Sequence, residues 1–221
     1  MPRLAARFRV LRYDQRGAGM SEKIRQDFSN DTLVEDFMAL ANSAGLDPPF
    51  GFVTVAAAAT QALRFYEKFP DRVAALVLCN PAPGVDPSRG AALDERAAFA
   101  AREGMRASLP TTLALSYPPH LGEQAAYRAY LGRYLANDPV SFGLGFRCLA
   151  RTNMLHMLPQ IRCPAMVVAG GHDTVRPHAG TAELAKKIPG ARFELLDKAG
   201  HFMPTQAPDE LAALLEDFLP Q

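Results

Sequence analysis

Two residues in this chain have the types and placement to move a proton together: Asp173 in the segment GGHD and His201 in the segment AGH. An imidazole takes and returns a proton near neutral pH, and a carboxylate bonded to it selects the tautomer and steadies the charged ring. Each follows a short apolar run, AMVVAG (165–170) before Asp173 and ARFELL (191–196) before His201. If these runs are neighbouring parallel strands, both side chains emerge at one carboxyl edge, within reach of each other. The plain alternative for His201 is a surface-loop histidine, and Asp197, closer to it in sequence, is the competing carboxylate. His172 and His178 read as surface residues, while His120 and His156 fall in a helical middle region where either could touch a ligand. No pair of histidines has metal-ligand spacing with Asp or Cys, so no metal site is expected.

The elements that must carry these residues follow from the patterning. FRVLRYD (8–14), PFGFVTVA (49–56), VAALVLCN (73–80), AMVVAG and ARFELL are apolar or β-rich runs bounded by turn chemistry, and each is expected as a strand. Between them lie helical stretches: one opened by Asp31-Thr32 and closed by Gly45, one over 57–69 ending before Pro70, one over 181–189, and an amphipathic one over 208–219 with Pro208 in its first turn. Continuous apolar strands alternating with helices predict an α/β domain, a mostly parallel sheet with helices on both faces. The middle of the chain breaks the alternation. Rich in Ala, Arg and Tyr, it has helical periodicity and no convincing strand. The expected division is therefore a core half over 1–84, a helical cap over 85–160 and a second core half over 161–221. An insertion at the carboxyl end of a parallel strand lies over the crevice where such sheets bind ligands, which makes it a candidate lid.

Bulk properties narrow the partners. With 221 residues, 48% hydrophobic and 21% charged, the chain suits one globular domain with an insertion. A formal net charge of +1 gives no electrostatic case for nucleic acid or an anionic membrane surface. Cys79, Cys148 and Cys163 are an odd number in apolar contexts and read as small buried thiols. No apolar stretch approaches the length of a membrane span, and the opening MPRLAARFRV has no apolar signal core, so a cytoplasmic location is expected. No G-x-G-x-x-G opens a helix, which argues against a dinucleotide binder, and no cofactor is expected.

Four segments resemble one family. YDQRGAGMS (13–21), EKFPDRVAALVLCNPAPG (67–84), CPAMVVAGGHDTVRP (163–177) and KAGHFMPTQAPDEL (198–211) are similar, in this order, to the strand-end turns and site loops of the α/β-hydrolases. The nearest subgroup contains 3-oxoadipate enol-lactonases and related small-molecule ester hydrolases with a helical cap. The resemblance implies that Asp173 is the acid and His201 the base of a Ser–Asp–His order. It also places a G-x-S-x-G turn at Thr54-Val55-Ala56-Ala57-Ala58. Here Thr54 and Ala58 replace the glycines, and Ala56 stands where the nucleophile belongs. The Ala57 backbone N–H is the implied oxyanion donor. The implied substrate is a small ester, lactone or carboxylate-bearing molecule, with the cap arginines Arg133, Arg147 and Arg151 as partners for an acidic group. Self-association into a homo-oligomer is compatible with this reading. The chain opens at RLAARFRVLRYD, so the resemblance further implies that the family's first strands, and a His-Gly loop with a second oxyanion donor, are missing.

An alanine cannot attack a carbonyl. An engineered substitution would explain Ala56 but neither Thr54 nor Ala58. The alternatives are a natural relative that has lost covalent catalysis and another group that acts in its place, such as a water activated by His201. Thr54 and Thr60 are poorly placed as replacements, one pointing into the sheet and the other along the helix, and Ser21 and Ser141 lack the turn context. Against a hydrolase stands a second class of reading, a non-catalytic member in which the fold serves as ligand receptor or scaffold.

Overall fold

The structure, a computed structural model, describes residues 2–220. Its centre is a four-stranded parallel sheet in the order β1 (Phe50–Val55), β2 (Val73–Cys79), β3 (Ala165–Gly170) and β4 (Arg192–Leu196). The period-2 rule sorts the side chains of the central strands between two cores. Leu76, Leu78, Ala165 and Val167 face one apolar cluster; Val77, Cys79, Met166 and Val168 face the other. β2 and β3 thus lack a polar face, as expected for parallel strands covered on both sides.

Helices supply the two covers. The described helices are α1 (Pro2–Ala5), α2 (Asn30–Ser43), α3 (Ala58–Lys68), α4 (Gly90–Ala107), α5 (Leu113–Ser116), α6 (Gln124–Leu135), α7 (Pro139–Ala150), α8 (His178–Ala185), α9 (Met203–Gln206) and α10 (Pro208–Phe218). α2 and α3 bury Val34, Phe37, Leu63 and Phe65 against the first cluster, joined by Ala185 and Ile188 at the end of α8. Phe37, Phe50, Phe52 and Phe65 meet there at centroid separations of 5.0–6.3 Å, edge-on or tilted, geometries that suit the ring quadrupoles. α10 covers the opposite face with Leu211 and Leu215. α2 starts one residue before the expected opening because Ser29 forms a reciprocal capping box with Thr32.

One expected strand is absent. Residues 8–14 form no ladder, although their alternation still serves the core: Leu11 and Tyr13 pack on the first cluster, and the Tyr13 hydroxyl accepts from Gln61 Nε2 at 2.8 Å. No described strand lies beside this segment to take up its backbone groups, so the apolar run is used for side-chain packing alone. The turn after it follows the D-x-R-G-x-G-x-S pattern for a steric reason. Gly19, at φ +51, leaves room for Asp14, whose carboxylate would lie 2.2 Å from a Cβ there. That carboxylate accepts from the Met20 amide at 3.0 Å.

Between β2 and β3 the chain is helical, and no described strand lies within 90–155. Gly104, at φ 84, breaks the path of α4. An isolated antiparallel bridge between Gly84 and Asn153 pins the two ends of the insertion together. No helix is long and apolar enough to cross a membrane among the described residues.

α2 and α3 are also joined by charge. Asp31 accepts from Arg64 at 2.9 Å and pairs with Lys68, which holds its carboxyl down to about 2. A depressed folded pKa stabilises above the unfolded value, and that contribution disappears as pH falls from about 4 towards about 2. Asp31→Asn should therefore lower stability at pH 7 by less than about 1 kcal/mol, since the pair is partly solvated. In urea titrations the gap between the proteins should close near pH 2; a pH-independent gap would show that packing was lost rather than charge.

Candidate active site

The loops that leave β3 and β4 are fastened to each other. Gly171 N–H donates to Leu196 O and His172 N–H to Ala199 O, both at 2.9 Å. This approach requires glycine: a Cβ on Gly170 would lie 2.4 Å from Gly200 O, and one on Gly171 would lie 2.6 Å from Asp197 O. The two glycines of GGHD thus let the acid-bearing loop lie directly against the histidine-bearing one.

At that contact His201 Nδ1 lies 2.7 Å from Asp173 Oδ2, and both residues are buried. The other carboxylate oxygen, Oδ1, accepts from the amides of Val175 and Arg176, each at 2.8 Å. Two fixed amides lock the carboxylate, so it can orient the ring. A carboxylate at Nδ1 makes that nitrogen the donor and leaves Nε2 as the acceptor. Phe202 abuts the His201 ring edge-on at 5.4 Å, and Tyr117 and Tyr130 from the helical insertion pack on Phe202 with tilted rings, at 6.2 and 4.7 Å. Asp197, the competing carboxylate, is not the one bonded to His201.

Sequence reasoning missed Asn80. It is fully buried at the end of β2 with φ 42, a left-handed conformation that asparagine tolerates better than most residues. Its Nδ2 donates to Gly200 O at 3.0 Å and His201 O at 3.2 Å, while its Oδ1 accepts from Gly170 N–H at 2.9 Å. One side chain therefore ties the ends of three strands. Gln206 adds a bond from Gly200 N–H to its Oε1 at 3.0 Å. The available signal was an asparagine ending an apolar run just before Pro81.

The turn from β1 into α3 places Ala56 at φ 52, a region costly for any residue with a Cβ. The strain is held by its surroundings: Ala56 N–H donates to Cys79 O at 2.9 Å, and Ala82 N–H donates to Ala56 O at 3.0 Å. The Ala57 N–H makes no hydrogen bond among the described residues, and Ala57 is an exposed residue. Thr54 Oγ1 donates to Val77 O at 3.2 Å and Thr60 Oγ1 to Ala57 O at 2.8 Å, so both hydroxyls are engaged. Ser21 donates to Asp14 O, and Ser141 pairs with Asp138.

The remaining candidates lie elsewhere. Arg147 and Arg151, expected to face a substrate, are instead both held by Asp27 at 3.0 Å. A carboxylate from a distant segment satisfies them, a long-range pairing that spacing does not reveal. Arg133 is exposed, as are His120, His172 and His178, and His156 pairs with Glu67 at 2.9 Å. Burial pushes the Cys79 thiol up to about 12 and the Cys163 thiol to about 11, which suits inert thiols. No cluster able to hold a metal occurs among the described residues. An open groove of about 640 Å³ beside Val73, Cys163 and Pro164 lies at the opposite, amino edge of the sheet.

A parallel sheet covered on both faces, with a carboxylate and an imidazole bonded at its carboxyl edge and a left-handed turn between β1 and α3, has the form of an α/β hydrolase. The α/β hydrolase fold family matches residues 1–208, and the chain belongs to it. It is 27% identical to "Putative carbamate hydrolase RutD" of Caulobacter sp. (strain K31), over 99% of this chain and 83% of the relative. Among solved structures it superposes on a hydrolase from Pseudomonas aeruginosa PA01 with a TM-score of 0.89, at 27% identity over 98% of this chain and 82% of the other. The enol-lactonase from Burkholderia xenovorans LB400 gives 0.86, at 26% identity over 97% and 82%.

Gly170→Ala tests the close approach. The added methyl must displace the Gly200 carbonyl, a backbone atom, and should cost about 1–3 kcal/mol, the usual range for overpacking. Gly180→Ala, where a Cβ meets nothing within 4 Å, is the matched control and should leave stability unchanged or slightly raised. Equal unfolding midpoints for the two variants would show that the loops have slack.

Proposed function

We propose that this protein is a hydrolase of small esters or lactones in which Asp173 and His201 work on water, without an acyl-enzyme. The bond between these two residues carries the reading, because nothing in the packing requires a buried carboxylate locked by two amides and aimed at an imidazole. In this mechanism His201 Nε2 takes a proton from water as its oxygen attacks the carbonyl. Asp173 stabilises the imidazolium through Nδ1–H. The tetrahedral intermediate then collapses, and Nε2–H returns the proton to the leaving alcohol or enol oxygen. The Ala57 N–H is the donor available to the developing oxyanion. Residues 85–160 act as a lid that positions the substrate over His201, and the core halves 1–84 and 161–221 form the floor. The names of the carbamate hydrolase and enol-lactonase relatives support carbonyl substrates of this size, and a cytoplasmic location fits such a substrate.

Ala56 supports a second reading, a member of the family that binds a ligand and no longer turns it over. His201→Ala separates the two. In enzymes of this type, loss of the base costs orders of magnitude, so hydrolysis of an active ester or lactone should fall at least about 100-fold. Undiminished turnover would make the pair a relic.

The turn itself permits a gain-of-function test. Ala56 already holds the left-handed conformation, so Ala56→Ser alone should put a hydroxyl at the turn apex facing His201. A serine-directed phosphonate should label this variant and leave the native protein unmodified. Labelling of the native chain would reveal a nucleophile other than residue 56.

A further inference from the structure

β4 leaves one edge of the sheet open. It is the last strand of the ladder, bonded to β3 on one side and to no described strand on the other. Leu196 O accepts from Gly171 N–H and so faces β3. Alternation along the strand then turns the backbone groups of Phe193 and Leu195 outward. Their side chains share one face and are 38% and 39% exposed, large apolar groups at an unpaired edge. Arg192 and Glu194 lie on the other face, bonded to each other at 2.6 Å, with Arg192 also held by Asp217 of α10. Natural edges are commonly guarded against a second strand by proline, a bulge or lysines. β4, with the sequence RFELL, has no proline or lysine, its ladder with β3 runs without a bulge, and its two charges are of opposite sign.

We propose that the outer edge of β4 is a dimer interface, occupied by β4 of a second copy running antiparallel across a two-fold axis through Phe193. Charge selects this register. An axis through Arg192 or Glu194 would set that residue against its own copy, like charge on like. An axis through Leu195 would set Arg192 opposite Lys198. With the axis through Phe193, Arg192 lies opposite Glu194 on one face, and this pair occurs on both sides of the axis. On the other face Phe193 meets its own copy, and Leu195 lies opposite Ala191. The backbone agrees with this register: Phe193 exchanges both its hydrogen bonds with the same residue of the second copy, and Leu195 N–H reaches Ala191 O. Gly190 of the second copy comes opposite Leu196, beside a groove of about 310 Å³ lined by Leu195, Leu196, Glu210 and Leu214. The edge strand at the other end of the sheet, β1, exposes Val53 but carries no charge that could set a register. β4 is only five residues long, so the interface is small and the dimer weak.

The test is sedimentation velocity of the intact protein between about 1 μM and about 1 mM. A concentration-dependent equilibrium between monomer and dimer is expected. Arg192→Glu and Glu194→Arg should each weaken it about tenfold, because attraction at both symmetry-related pairs becomes repulsion. The chain carrying both substitutions should regain the dimer. An equimolar mixture of the two single variants should form a heterodimer, in which every cross-strand pair is again of opposite sign. Phe193→Lys, at an exposed position, should abolish association, and Val53→Lys on β1 should leave it unchanged. A monomer throughout the range, single variants that associate like the native chain, a double variant or mixture that stays monomeric, or dissociation by Val53→Lys would each overturn the proposal.

Discussion

The site depends on one steric constraint: the loops after β3 and β4 pass so close that no side chain fits between Gly170 and the Gly200 carbonyl. That approach puts Asp173 and His201 in contact, and it also buries the backbone polar groups of both loops. Buried amides and carbonyls must find partners. Gly171 and His172 N–H are paired across the loops, Gln206 accepts from Gly200 N–H, and Asn80 satisfies Gly170 N–H and the carbonyls of Gly200 and His201 with a single amide group. The bonding of these backbone groups is therefore a consequence of the close approach.

The turn at Ala56 is fastened to the same unit. Its amide and carbonyl are held by Cys79 and Ala82, the residues on either side of the Asn80–Pro81 corner. A left-handed alanine would relax if it could, since the conformation costs of the order of 1–2 kcal/mol. Two backbone hydrogen bonds to a buried strand end keep it in place. The geometry suited to presenting a side chain from a sharp strand-to-helix turn is thus maintained by β2, although an alanine methyl has nothing to present. In this protein the shape of the turn and the chemistry of its apex are separable.

Aromatic packing connects the insertion to the histidine loop. Tyr117 and Tyr130 close on Phe202, whose ring meets that of His201. Thr174 in the acid loop donates to Leu115 O at 3.2 Å, a second contact between core and insertion. These few contacts hold the helices between β2 and β3 against the loop that carries His201.

What the sequence by itself determined is the part governed by short-range patterning. Apolar runs bounded by turns located β1 to β4, helical periodicity located the insertion, and strand-end placement singled out Asp173 and His201. These signals are local, and the parallel order follows from the alternation of strand and helix. Residues 8–14 had the same local signal as the true strands and did not become one, since strand formation needs a neighbouring ladder that no run of residues encodes alone. Tertiary structure decided the rest for the same reason. The partner of Arg147 and Arg151 is Asp27, far off in the chain, and the partners of Asn80 come from two later strand ends. Hydrogen bonds and ion pairs are set by distance in space. Only the folded chain shows which charges are satisfied.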